Sequence, residues 1–214
     1  MAKSYAVFGL GKFGSSVAKN LMLNGAEVLA VDKSEELVRS IADDVTCAVC
    51  ADVMDIEIMK TIGLDSVDGA VVATAESLEA SVMATMTAKE LGVPYILAKA
   101  DGHIKGEILK RVGADKVVYP ETEMGKRIAY NLASGTIMDL IDLSKKTSVI
   151  EIHIKSQWVG KTLRQLDLRG KYSINVVAIH TGEEFDGSPD PDRILEATDS
   201  LIVIGDKKYI AKIR

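Results

Sequence analysis

No apolar run in the sequence approaches the roughly 20 residues that cross a bilayer. Met1 to Tyr5 shows no signal-peptide organisation before the first strand-like segment. A cytoplasmic location is the resulting expectation. Positive charge is in short supply, with 26 Lys and Arg against 31 Asp and Glu and a formal net charge of -5. That balance disfavours nucleic acid as a partner, which needs clustered cations to neutralise phosphates. Cysteine is limited to Cys47 and Cys50. Their C-A-V-C spacing invites a metal or redox reading, but Val45 to Ala51 reads as a strand. Residues three apart on a strand point to opposite faces and cannot converge on one ion. Both are expected to be small buried apolar residues. The Walker loop of a phosphotransferase is missing. Histidine occurs only at His103, His153 and His180, with no catalytic or metal-ligand arrangement suggested. An enzyme is therefore not expected.

What is present is a regular alternation. Short β-branched runs occur at Ser4–Gly9, Glu27–Val31, Val45–Ala51, Gly69–Ala73, Tyr95–Lys99 and Lys116–Tyr119. Helical patterns separate them at Phe13–Asn24, Glu35–Ala42, Asp55–Ile62, Glu76–Leu91 and Ile104–Val112. Repeated β-α units predict an α/β fold, a Rossmann-like doubly wound parallel sheet. The strands are nearly continuous apolar runs, as expected when helices cover both faces. Gly25, Gly63, Gly92 and Gly113 fall near predicted helix ends, and Ser34 is a plausible N-cap.

After Pro120 the alternation stops. A long helical pattern over Glu121–Ile141, with a break near Ser134–Gly135, reads as a crossover. Gly125, Ala129 and Ala133 repeat every four residues, so a helix of this chain or of another copy can approach closely. Ser144–Thr147 reads as a hinge. Strands follow at Ser148–Ile154, Ile174–His180 and Ser200–Gly205, with a helix at Val159–Leu166 and a turn region at Gly182–Pro191. The expected organisation is residues 1–120 as a nucleotide-binding domain, 121–144 as crossover and hinge, and 145–214 as a small α+β domain. About 70 residues is marginal alone, so pairing with a second copy is a natural source of burial.

The chemistry concentrates at Gly9-Leu10-Gly11-Lys12-Phe13-Gly14, which is G-x-G-x-x-G between a predicted strand and helix. Gly9 permits a tight turn, Gly11 lets the backbone approach a pyrophosphate, and Gly14 allows close helix–strand packing. The helix N-terminus offers free N–H groups and partial positive charge. Asp32 ends the second strand and is the expected acceptor for ribose hydroxyls, which disfavours a 2′-phosphate. Lys33 follows it. Asp52, Ala73 and Thr74 end the next strands, where the ligand crevice lies, although Asp52 could equally be an N-cap or turn aspartate. Asp32 cannot distinguish ATP, ADP and NAD. Lys12 and Lys99, unless merely solvated, add positive charge that favours ATP or ADP. An NAD/NADH-sensing regulator and a small NAD-dependent oxidoreductase are the alternatives.

Several stretches together resemble the RCK family, regulators of potassium conductance, of the type found in bacterial Ktr uptake systems. They are the G-L-G-K-F-G opening, Val31-Asp32, Gly113-Ala114-Asp115, Tyr119-Pro120-Glu121, Ile141–Ser144, and Arg169–Tyr172 followed by Ile174–Val177. The resemblance spans essentially the whole chain. It implies homo-oligomers, dimers assembled into an octameric ring, beneath a membrane-embedded KtrB-type transporter subunit. ATP would activate and ADP inactivate by changing the ring's shape. It implies that Lys12 stands where a basic residue reaches the terminal phosphate in a neighbouring subunit. It also implies an acidic position at Glu121 near the dimer axis, with Mg2+ or Ca2+ as candidate ions. In the C-terminal domain it implies a cyclic di-AMP site at the dimer interface, matched by Arg169 and Asn175.

Overall fold

The computed structural model describes residues 2–74, 77–134, 141–144, 146–182, 184–210 and 213. It falls into two units, Met1–Glu123 and Met124–Arg214.

The first unit alternates β1 (Ser4–Phe8), α1 (Lys12–Leu23), β2 (Glu27–Asp32), α2 (Glu35–Ile41), β3 (Cys47–Cys50), α3 (Ile56–Thr61), β4 (Gly69–Val72), α4 (Leu78–Glu90), β5 (Ile96–Lys99), α5 (His103–Arg111) and β6 (Lys116–Val118). All six strands are parallel, in the order β3-β2-β1-β4-β5-β6. This is the doubly wound sheet expected, and its order reverses between β1 and β4. Successive side chains of a strand face opposite ways, and the core divides accordingly. Ala6 and Phe8 of β1 join Ala70 and Val72 of β4, together with Ala84 and Ala88 of α4 and Leu109 of α5. Val7 and Val71 point the other way, to Ala18 of α1 and Val38 and Ile41 of α2. Fully burying an apolar side chain of this size contributes about 1.5–3 kcal/mol, so the apolar runs of β1 and β4 hold both layers at once.

Local signals agree with this frame. The Ser34 hydroxyl accepts from the Leu37 N–H at 3.4 Å and caps α2. The four glycines expected at helix ends all take positive φ. The cysteine expectation is overturned: Cys47 and Cys50 are both exposed. β3 is an edge strand, paired with β2 alone among the described strands, and helices centred over the inner strands cover an edge less completely.

α6 (Pro120–Ser134) begins in the first unit and continues in the second. Residues 135–140, including the expected break at Gly135, lie outside the described residues. Ile141 is not helical: β7 (Ile141–Asp142) pairs antiparallel with β8 (Thr147–His153). The second unit continues with α7 (Leu163–Leu166), α8 (Leu168–Tyr172), β9 (Ile174–Thr181), β10 (Glu184–Asp186), β11 (Asp199–Asp206) and α9 (Lys207–Ile210). Its antiparallel sheet runs β10-β9-β11-β8-β7 around Trp158, Leu166, Ile174, Ile179, Leu201 and Val203.

Elements here depart from the sequence pattern, α7 and β10 among them. The helix expected from Val159 begins only at Leu163, because Gly160 turns the chain at φ 78 and Thr162 supplies a capping box with Gln165. The expected turn at 182–191 contains the short strand β10, where the Phe185 ring packs on His180 with centroids 4.8 Å apart.

Candidate functional site

A cleft of about 930 Å3 opens at the carboxyl ends of the parallel strands in the first unit, where doubly wound sheets hold their ligands. The G-x-G-x-x-G loop forms its floor. Gly9 has φ 88, and a Cβ there would lie 2.9 Å from the Thr74 side chain and 3.0 Å from the Ala73 backbone. A Cβ on Gly14 would come within 1.8 Å of the Gly9 carbonyl oxygen. These two glycines are required by the chain's own packing. Gly11 is different: a Cβ there would meet nothing within 4 Å. Its lack of a side chain leaves room for something from outside. Gly11 is also the N-cap of α1, makes no side-chain cap bond, and no acidic residue follows in the first turn. The N–H groups of that turn therefore face the cleft with their partial positive charge unanswered.

Asp32 is held by two backbone donors. The Leu10 N–H donates to Oδ2 at 2.6 Å and the Ser34 N–H donates to Oδ1 at 2.8 Å. Each carboxylate oxygen keeps a further lone pair, so the group is fixed in orientation and can still accept from a diol. Asp52 makes a tight turn, accepting from the Met54 N–H at 2.9 Å, and also lines the cleft. Lys33, Ala73 and Thr74 line it too, with the Thr74 hydroxyl 3.1 Å from that of Ser81.

Across the cleft, beyond β4, the Lys99 Nζ donates to Glu121 Oε1 at 2.5 Å and lies 5.5 Å from the centre of the Phe13 ring. Lys99 holds the Glu121 carboxyl below the usual carboxylate range, chiefly through this hydrogen bond. Lys12 is exposed at the mouth. Twelve of the predicted contact residues, from Gly9 to Glu121, thus line one cleft.

Models of two domain families match the chain: the TrkA-N domain over residues 5–120 and the TrkA-C domain over residues 148–214. The first match alone covers more than half of it. The chain belongs to the TrkA-N/TrkA-C family. The chain is 41% identical to the Ktr system potassium uptake protein C of Bacillus subtilis, over 99% of this chain and 96% of that one. It is 35% identical to the Ktr system potassium uptake protein A of the same organism, over 98% and 95%. Both relatives are components of a potassium-uptake system. Among solved structures, a GsuK channel bound to NAD aligns with a TM-score of 0.66 at 16% identity, over 99% of this chain and 38% of that chain. At that identity the likeness concerns the fold.

The remaining predicted residues are placed as follows. Arg169 lies on α8 and Asn175 on β9, both exposed. No hydrogen bond joins them among the described residues. Ala75 and Glu76 of the fourth strand's end lie outside the described residues. Glu121 offers a single carboxylate, already taken by an ammonium. Among the described residues no group of three or more His, Cys, Asp or Glu could hold a metal ion. No described helix is long and apolar enough to cross a membrane.

Sequence reasoning missed Ser77, Leu37 and Met54 as cleft residues. Ser77 had a legible signal: it is the N-cap of α4, accepting from the Ala80 N–H at 3.1 Å. Leu37 and Met54 had none, because their side chains reach the cleft only through the packing of α2 and of the turn after β3.

Proposed function

We propose that this chain is a nucleotide-sensing regulatory subunit of a potassium transporter, switched by ATP and ADP rather than acting as an enzyme. The observation that carries the reading is the floor of the cleft. A glycine with open space above it precedes an uncapped helix, beside a carboxylate aligned by two backbone donors. That combination takes a diphosphate and a ribose. Lys12 and Lys99 favour further phosphates over a nicotinamide. An NAD or NADH sensor is the second reading, supported by the cleft's continuation from β2 across to β5. Among the described residues lining the cleft there is no histidine, tyrosine or cysteine. This fits binding rather than hydride transfer with proton exchange.

The reading extends to assembly. Met124, Ile128 and Leu132 expose large apolar side chains at four-residue spacing on α6, a seam suited to a second copy. On this reading dimers build an octameric ring on the cytoplasmic side of a KtrB-type membrane subunit. A cyclic di-AMP site at Arg169 and Asn175, and Mg2+ or Ca2+ at Glu121, belong to it only if a second copy or the ligand's phosphates complete the donor set.

Calorimetry with ATP, ADP, NADH and NAD tests the proposal. Asp32→Ala should weaken every adenine nucleotide by about tenfold or more, the worth of hydrogen bonds to a charged acceptor. Lys12→Ala should draw the ATP and ADP affinities together. Unchanged binding in Asp32→Ala would remove the ribose assignment and the reading with it.

A further inference from the structure

Leu10, in the loop beneath α1, is held at three points. Its side chain is buried in the layer that contains Val7, Ala18 and Val28. Its N–H donates to Asp32 Oδ2 at 2.6 Å. Its carbonyl accepts from the Ser15 hydroxyl at 2.6 Å, with no other donor to it among the described residues. Gly11, the next residue, has none of these anchors. It is exposed, and its N–H finds no acceptor among the described residues. The Leu10–Gly11 peptide is therefore where the held part of the loop meets the free part. The hydrogen bond from Ser15 is what fixes the plane of that peptide.

A trans peptide is planar, with its C=O and N–H pointing in opposite directions. Ser15 lies further along α1, and its own N–H also donates to the Gly11 carbonyl at 2.9 Å. Both carbonyls are thus drawn toward the body of the helix. The Gly11 and Lys12 N–H groups then point off its N-terminal end, where the cleft opens. We infer that Ser15 is a positioning residue for a bound diphosphate: it holds the Leu10 carbonyl back so that the Gly11 N–H faces the phosphates. This rests on the nucleotide reading above. Ser15 lines the cleft, but its one proton is committed to the carbonyl, which leaves only lone pairs to offer an anion. It acts through the backbone rather than as a phosphate ligand. The restraint matters because the residue beyond it is glycine. Gly11 sits at φ -64, yet positive φ is about as accessible to it. Without the hydroxyl the peptide is free to turn over and present the Leu10 oxygen to the phosphates, a repulsion in place of a donor. Asp32 and Ser15 hold the peptides on either side of the Leu10 Cα. One anchored residue thereby sets the sugar acceptor and the phosphate donor together.

The test compares Ser15→Ala and Ser15→Thr with the unaltered full chain by two measurements. The first is the amide resonance of Gly11 in ligand-free protein carrying isotope-labelled glycine. Ser15→Ala should shift or broaden it, while that of Gly25, just past the far end of α1, stays in place. Ser15→Thr keeps the hydroxyl and should restore it. The second is calorimetry with ATP, ADP and NADH, which share a diphosphate. Ser15→Ala should weaken all three alike, by about three- to tenfold, the worth of one hydrogen bond, and Ser15→Thr should recover most of the loss. Alanine is the better helix former, so a weakened α1 would not account for the change. An unchanged Gly11 resonance or an unchanged affinity in Ser15→Ala would overturn the inference. A loss confined to ATP would do the same, because Ser15 would then contact the terminal phosphate directly. A Ser15→Thr chain as impaired as Ser15→Ala would assign the loss to packing and overturn it too. If the unaltered chain bound no adenine nucleotide, the nucleotide reading itself would fall. If it bound them with Asp32-dependence while Ser15→Ala changed neither measurement, only the role of Ser15 would.

Discussion

In the parallel sheet β4 buries all four of its residues, whereas in the antiparallel sheet β8 alternates and β10 is wholly exposed. The buried polar groups follow the same division. In the first unit they are Ser81, Thr85 and Thr87, all on α4. Ser81 and Thr85 donate to the carbonyls of Ser77 and Ser81, one turn back, at 2.9 and 2.7 Å. In the second unit they are Ser148, Asp199 and Ser200, all on strands, and the two on β11 find partners on other segments. The Asp199 carboxylate, with no exposed side-chain surface, accepts from Thr181 Oγ1 at 2.5 Å, Arg193 at 2.9 Å and the Glu196 N–H at 2.8 Å. Ser200 donates to Glu151, which also bonds His180 Nδ1. The first unit thus depends on apolar layers and close backbone approach. The second depends on a strand-borne polar network being complete, because a buried acceptor's donors become liabilities once it is removed.

The largest expected effect probes the first of these dependences. Gly14→Ala puts a methyl into the Gly9 carbonyl, which must push α1 off β1. A loss of about 3 kcal/mol, at the upper end for overpacking, is expected, with loss of nucleotide binding. Residue-resolved hydrogen exchange should show weakened protection in β1, β2 and β4 while β8, β9 and β11 keep theirs. Equal loss in both sheets would mean that the units do not fail separately. Asp199→Ala makes the converse cut. It should cost about 2 kcal/mol, discounted because Arg193 is partly exposed, and reduce protection in β9 and β11 only. Calorimetric binding at the cleft should survive.

The smallest effect concerns Glu121. Its carboxyl is held low by Lys99 in the folded chain, so the pair's contribution is complete above the ordinary carboxylate pKa of about 4.3. It is lost as pH falls through the depressed folded value. Melting of the first unit should show a small acid-dependent decrement that Glu121→Gln lacks. A decrement equal in both proteins would assign it to other carboxylates.

Most of the first unit was legible beforehand because its signals are local and repeated. Apolar runs flanked by glycine turns place five strands within one residue of their observed bounds and β3 within two, and the spacing of Gly9, Gly11, Gly14 and Asp32 puts them on one cleft. The second unit was less legible. β10 hides in a turn-rich stretch because Phe185 packs on a strand partner, and α8 is too short to show a period. Asp167 and Ser173 bound α8 with φ 43 and 55, a backbone state that ordinary side chains rarely announce. The exposure of Cys47 and Cys50 was misjudged for a related reason: an apolar strand pattern does not say whether the strand lies at the centre or the edge of its sheet.

By itself the sequence determined the β-α order, the turn beneath the first helix and the place of Asp32 at the end of β2, since each depends on residues close along the chain. Only the tertiary structure decided that Lys99 meets Glu121, that Asp199 gathers three donors, and which strand is left at the edge. Those outcomes depend on segments brought together by strand order, and strand order is set by how the layers pack rather than by any one stretch of residues.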